Sequence, residues 1–146
     1  MIQPKAVQHI GIAVRSIEAH RSYYEHVLGA RFEGIEDVPE QKVRVGFFAV
    51  GPEGYEVRLE LLEPLSPDST VAAFLEKRGE GLHHVAYSVE NIQERLDVLK
   101  QHGVRLVDET PRPGAHQMQV AFLHPKSTGG VLTELCEPVS SSTPCS

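Results

Sequence analysis

Two histidines and two glutamates recur at nearly the same spacing. "VQHIGIAVRSI" at 7–17 lies over "LHHVAYSVENI" at 82–92, offset by 75, so His9 matches His84. "LELLEP" at 59–64 lies over "TELCEP" at 133–138, offset by 74, so Glu60 matches Glu134. A carboxylate among apolar strand residues must be paired, protonated or bound to a metal, because burying it bare is very costly. Two nitrogen and two oxygen donors at matched positions suit a divalent ion of the Mn, Fe, Co, Ni or Zn series, with positions left for water or substrate. They do not resemble a closed, cysteine-rich structural zinc set.

The elements that would hold these donors repeat as well. "VRVGFF" at 43–48 lies over "MQVAFL" at 118–123, again offset by 75. The chain therefore reads as two modules in one domain, roughly 5–64 and 80–138, with a linker at 65–79 and a polar tail at 139–146. Each module opens with an alternating strand. A helix follows, its apolar stripe formed by Ile17, Tyr24, Val27 and Leu28 in the first module and Ile92, Leu96 and Leu99 in the second. Gly29 and Gly103 stand where a left-handed helix terminus is wanted. Strands are expected around 31–36, 43–50 and 56–62, then around 104–108, 117–123 and 130–136, with "GPEG" and "HPKSTGG" as the last turns. The linker "SPDSTVAAFLEKRGEG" predicts one short helix carrying Val71, Phe74 and Leu75. The fold class is α+β, βαβββ twice.

Strand alternation separates the adjacent histidines of "GEGLHHVAYSV". The match to His9 selects His84, so His83 is expected to face away. His9, Gly11 and Ala13 share one face with His84, Ala86 and Ser88 as their equivalents. Ile10, Ile12, Val14, Val85, Tyr87 and Val89 form the other, which should pack on the helices. A histidine face with only small neighbours is what a cavity-lining strand requires. His20, His26, His83 and His102 are expected not to bind the ion.

Acidic residues outnumber basic ones by 20 to 14, which argues against a nucleic-acid surface. No apolar run reaches the roughly 18 residues of a membrane span. "MIQPKAVQHI" lacks the features of a signal peptide. Cys136 and Cys145 make no disulfide framework, which points to the cytoplasm.

Paired βαβββ modules with donors on their first and last strands resemble the vicinal oxygen chelate superfamily, and within it the methylmalonyl-CoA epimerases. The resemblance spans about 5–138. "HIGIAV", "PEQKVRV", the run from "SPDST" to "GLHH" and "HPKSTGGVL" carry it. It implies two modules side by side, their sheets curling around one open metal cavity. His9, His84 and Glu134 match the family's metal ligands, and Glu60 falls on the fourth ligand position, where several bacterial members carry glutamine. The implied cofactor is one divalent ion, Co2+ first, with Ni2+, Mn2+, Zn2+ and Fe2+ suited to the same donors. The implied partners are an acyl-CoA substrate and a second copy of the chain. Lys42, Arg44, Arg112 and Lys126 are candidates for the CoA phosphates.

One family feature is missing. Those bacterial members carry a catalytic glutamate at the position of Val45 in "PEQKVRV". Epimerisation at C2 needs bases on both faces of the carbon. Glu134 is expected to be one, and Glu60, the other carboxylate the repeat places at the metal, is expected to replace the missing one. Glyoxalase I, with its His/Glu/His/Glu set, is the rival on ligand identity. A dioxygenase would need only one carboxylate, and a non-catalytic binding module would need no metal donors.

Overall fold

The computed structural model describes residues 1–139, so most of the polar tail, and Cys145 with it, lies outside the described residues. The first module contains β1 (Ala6–Ala13), α1 (Ile17–Ser22), β2 (Arg31–Val38), β3 (Val43–Val50) and β4 (Val57–Pro64). The linker forms α2 (Thr70–Arg78). The second module contains β5 (Gly81–Ser88), α3 (Ile92–Gln101), β6 (Arg112–Pro113), β7 (Met118–Leu123) and β8 (Thr133–Pro138). All eight strands form one curled sheet in the order β2-β3-β4-β1-β5-β8-β7-β6. The two modules join where β1 and β5 pair antiparallel, and each of these strands pairs in parallel with the last strand of its own module.

The alternating pattern divides the core as expected at Ile12, Val14, Tyr87 and Val89, whereas Ile10 and Val85 lie outside the helix-covered clusters. On the outer face Ile17 of α1 packs with Val14, Phe48 and Leu61, and Ile92, Leu96 and Leu99 of α3 pack with Val89, Ala121 and Leu135. On the inner face Val71 and Leu75 of α2 close over Val43, Val45, Phe47 and Leu62. The outer face is apolar because helices cover it, and the inner face of the central strands is left for a cavity.

Three expectations are corrected. The first helix does not bury its whole apolar stripe. It passes into a π-helical turn at Tyr23–Val27, whose wider winding shifts the stripe. Tyr24 still reaches Phe48, at a ring separation of 5.3 Å, but Val27 and Leu28 are exposed. Residues 104–108 form no strand and contribute only a bridge from Leu106 to Leu123, and the edge position is taken by β6. The third concerns His83. In the β1–β5 ladder Gly11 faces His84 while Ile12 faces Leu82, so His83 is an extra residue in a β-bulge. Strict alternation fails there, and His83 lines the cavity together with His84.

The linker helix is fixed by its cap. The Ser69 Oγ accepts the Ala72 N–H at 3.0 Å, and Ser69 is buried. Replacing Ser69 with Ala should cost about 1 kcal/mol in denaturant unfolding, the usual value of an N-cap. A loss below a few tenths would mean that α2 is held by its apolar contacts alone.

Candidate metal and acid–base site

The ladder at the centre of the sheet gathers the four repeated residues. Gly11 of β1 lies between Glu60 on β4 and His84 on β5. Its repeat mate Ala86 lies between Glu134 on β8 and His9 on β1. Each module thus supplies one histidine and one glutamate around a local two-fold axis. All four are buried, with exposures of 4–8%.

Three of them converge. Nε2 of His9 lies 3.0 Å from Nε2 of His84 and 3.1 Å from Oε2 of Glu134, and His84 Nε2 is 3.7 Å from Glu134 Oε1. Among the described residues this is the one group of three or more potential donors whose atoms all lie within 4.8 Å of one another. Glu60 is not in it. Its Oε2 sits 3.1 Å from Nδ1 on the far side of the His9 ring. His9 therefore separates the two carboxylates.

The geometry fits a cation. Nδ1 of His9 faces two acceptors, Glu60 Oε2 and the Gln8 side-chain oxygen, so its proton belongs there and Nε2 carries the lone pair. That lone pair points at Glu134 Oε2, a buried oxygen with no hydrogen bond of acceptable geometry despite its 3.1 Å approach. Acceptor atoms aimed at one another need a proton or a metal between them. Two imidazoles and a carboxylate suit a divalent ion with open positions.

Without an ion the site holds protons instead. Burial lowers the pKa of His9, but Glu134 and Glu60 outweigh it and the value stands above the usual 6.5. Burial raises Glu60 to about 7, against the opposing effect of His9 and helped by Glu134. His84 is held well below 6.5 by burial and by His9 and His83, and burial takes His83 down to about 4.

Gly11 is required where it stands. A Cβ there would lie 2.2–2.8 Å from the His84 ring, far inside contact distance. The ring lies directly over the β1 backbone, and that contact fixes its position.

The cavity above these residues measures about 230 Å3. Val45 lines it and is buried. Of the four basic candidates, Lys42 and Arg112 line it, while Arg44 and Lys126 do not. Arg44 is instead held by Asp37 at 2.8 Å. His20 pairs with Glu80 and His102 caps α3 at the Val98 carbonyl, so both are accounted for away from the cavity. His26 is exposed. Sequence reasoning missed Gln8, His83 and His116 as lining residues. The signal for the first two is the offset of 75, which pairs Gln8 with His83. Nothing in the sequence foretold His116, which stacks on Phe47 at 3.8 Å from a left-handed backbone.

Residues 8–122 match the model of the glyoxalase/bleomycin resistance protein/dioxygenase superfamily. The ethylmalonyl-CoA/methylmalonyl-CoA epimerase of Cereibacter sphaeroides is 40% identical over 88% of this chain and 95% of its own. The chain belongs to the methylmalonyl-CoA epimerase family. A solved structure of a point variant of Streptomyces coelicolor methylmalonyl-CoA epimerase, in complex with 2-nitronate-propionyl-CoA, superposes with a TM-score of 0.87. It is 34% identical over 94% of this chain and all of that one. The lactoylglutathione lyase of Salmonella typhimurium is more distant, 26% identical over 88% of this chain and 90% of its own. The chain thus lies nearer the epimerase family than the rival lyase.

Two expected outcomes follow from the geometry. Gly11→Ala should displace the His84 ring and weaken Zn2+ binding by at least tenfold in a competition titration, while circular dichroism stays native. Unchanged affinity would mean that the ring has room to move. The second concerns metal-free protein. Glu60 and His9 have folded pKa values above their unfolded ones, so their contribution is complete below the unfolded values and is lost as pH rises through the folded ones. His83 and His84, with lowered values, contribute fully above about 6.5 and vary little beyond it. Relative to Glu60→Gln, the unfolding free energy of the chelator-treated wild-type protein should therefore fall as pH rises from 4.5 to about 7. An equal fall in both proteins would show that Glu60 does not titrate there.

Proposed function

We propose that the chain epimerises methylmalonyl-CoA by removing the proton at C2, α to the thioester, and returning it on the opposite face. The observation that carries this reading is a pair of buried carboxylates on opposite sides of the His9 ring, one of them raised by burial to about 7 in the metal-free protein. A general base works best when its pKa lies near the operating pH.

His9, His84 and Glu134 would hold the divalent ion, with Co2+ the first candidate. When bound, such an ion polarises the thioester carbonyl and stabilises the negative charge that develops as C2 loses its proton. The chain's own residues do the rest. Glu134 and Glu60 take and return the proton from the two faces. Val45 cannot accept a proton, so Glu60 stands in for the carboxylate that bacterial relatives carry there. Glu60 would be the fourth donor if its carboxylate turned away from His9. The apolar walls, Val45 and Leu62 among them, exclude water that would quench the carbanion. Lys42 and Arg112 at the cavity are the groups for the anionic parts of the acyl-CoA. The free, buried Cys136 agrees with a cytoplasmic location, and the family resemblance supports a homodimer. Among the described residues no helix is long and apolar enough to cross a membrane.

In D2O the metal-loaded protein should wash deuterium into C2 of methylmalonyl-CoA and interconvert its epimers, read by NMR and chiral analysis. It should leave the hemithioacetal of methylglyoxal and glutathione unchanged. Turnover of the hemithioacetal without exchange at C2 would assign the chain to the lyase reaction instead. Glu60→Gln should keep the ion and lower turnover by about 10²–10⁴, the usual value of a general base. Adding Val45→Glu to that variant should recover part of the rate. Near-normal turnover in Glu60→Gln would remove Glu60 from the mechanism.

A further inference from the structure

Each donor histidine is preceded by a β-bulge. The β1–β5 ladder slips twice, once at Gln8, where Val7 faces Tyr87 and His9 faces Ala86, and once at His83. Gln8 and His83 are repeat mates, 75 residues apart. A bulge re-aims a side chain that regular pleating would send to the opposite face. Here both re-aimed side chains return to the histidine that follows. The Gln8 side-chain oxygen meets Nδ1 of His9, and Nδ1 of His83 meets Nδ1 of His84 at 2.9 Å. The two contacts involve the same ring nitrogen in both modules, the one turned away from the converging donors.

We infer that His83 is a positioning residue: its Nδ1 accepts the Nδ1–H of His84 and thereby keeps the His84 Nε2 lone pair on the metal side. The inference rests on the metal assignment of the proposed function. One proton lies between the two Nδ1 atoms, and the repeat decides who owns it. In the first module the neighbouring partner of Nδ1 is the Gln8 amide oxygen, which can only accept. The equivalent bond in the second module runs the same way when His84 donates and His83 accepts. His84 is then the Nδ1–H tautomer and His83 the Nε2–H tautomer. Partners that hold the remote nitrogen of a ligating histidine fix its tautomer and ring orientation.

Two further contacts hold the pair in place. The Phe74 ring of α2 meets His83 edge-on at 4.9 Å, and the His84 ring rests on Gly11. The modules differ in one respect. Nδ1 of His9 has Glu60 as a second acceptor at 3.1 Å, whereas Glu134, the repeat mate of Glu60, approaches His84 only at Nε2. The His84 ring therefore depends on His83 more than His9 depends on Gln8.

The test compares His83→Leu with His83→Asn. The two replacements have nearly the same shape, but only Asn places an acceptor oxygen where Nδ1 stood. His83→Leu should weaken Zn2+ affinity by about 10–100-fold, the usual effect of removing such a partner. His83→Asn should recover most of it, and Gln8→Leu should lose less than His83→Leu. Equal affinities for the Leu and Asn variants would overturn the inference. Nitrogen-15 NMR of histidine-labelled wild-type protein, with and without Zn2+, supplies a readout that needs no variant to fold. The expected tautomers are Nδ1–H for His84 and Nε2–H for His83, and the reverse pair would overturn the inference. Failure of wild-type protein to bind Zn2+ would instead refute the metal assignment, and the tautomers of the metal-free protein would still decide the hydrogen bond.

Discussion

Everything in this molecule is arranged around the cost of burying two imidazoles and two carboxylates in one apolar pocket. Desolvation alone would neutralise or expel such groups. They remain because each offsets the others: Glu134 and Glu60 flank His9, and His9 faces His84. The balance is incomplete without a cation, as the unsatisfied Glu134 oxygen shows. A site held together in this way is poised to exchange protons for a metal ion. The same tension lifts Glu60 into the range where a carboxyl group moves protons near neutral pH.

The sheet meets that requirement by duplication. Pairing β1 with β5 at the centre of an eight-stranded sheet puts equivalent positions of two modules opposite each other. Gly11 leaves space for the His84 ring, and the clusters at α1 and α3 supply the burial that keeps the central strands in place. The two halves are not identical. Glu60 reaches the remote nitrogen of His9, while Glu134 joins the convergent group. In the proposed reaction, which treats two faces of one carbon, the two carboxylates would see unlike surroundings.

Much of this was legible in the sequence because it is periodic. Offsets of 75 and 74 define the modules, their boundaries and the four paired residues, and alternation marks most of the face that packs on helices. What escaped were local departures from periodicity. The π-turn at Tyr23–Val27 exposed two residues that a regular helix would bury. The bulge at His83 turned inward a side chain that regular pleating would turn outward. Glu60 lies at the centre of the sheet, but its side chain meets His9 and not the convergent donors, and residue type alone does not fix that choice. His116 comes from an irregular loop, with left-handed backbone at both His116 and Gln117, where neither period applies.

The central claim is that the convergent group is a metal site on which the chemistry depends. Metal analysis of the purified protein, with epimerase activity followed through chelation and stepwise return of Co2+, tests it most directly. One ion per chain is expected, with activity lost on chelation and restored in proportion to occupancy up to one equivalent. A chain that binds no divalent ion, or that keeps full activity after the ion is removed, would contradict the account.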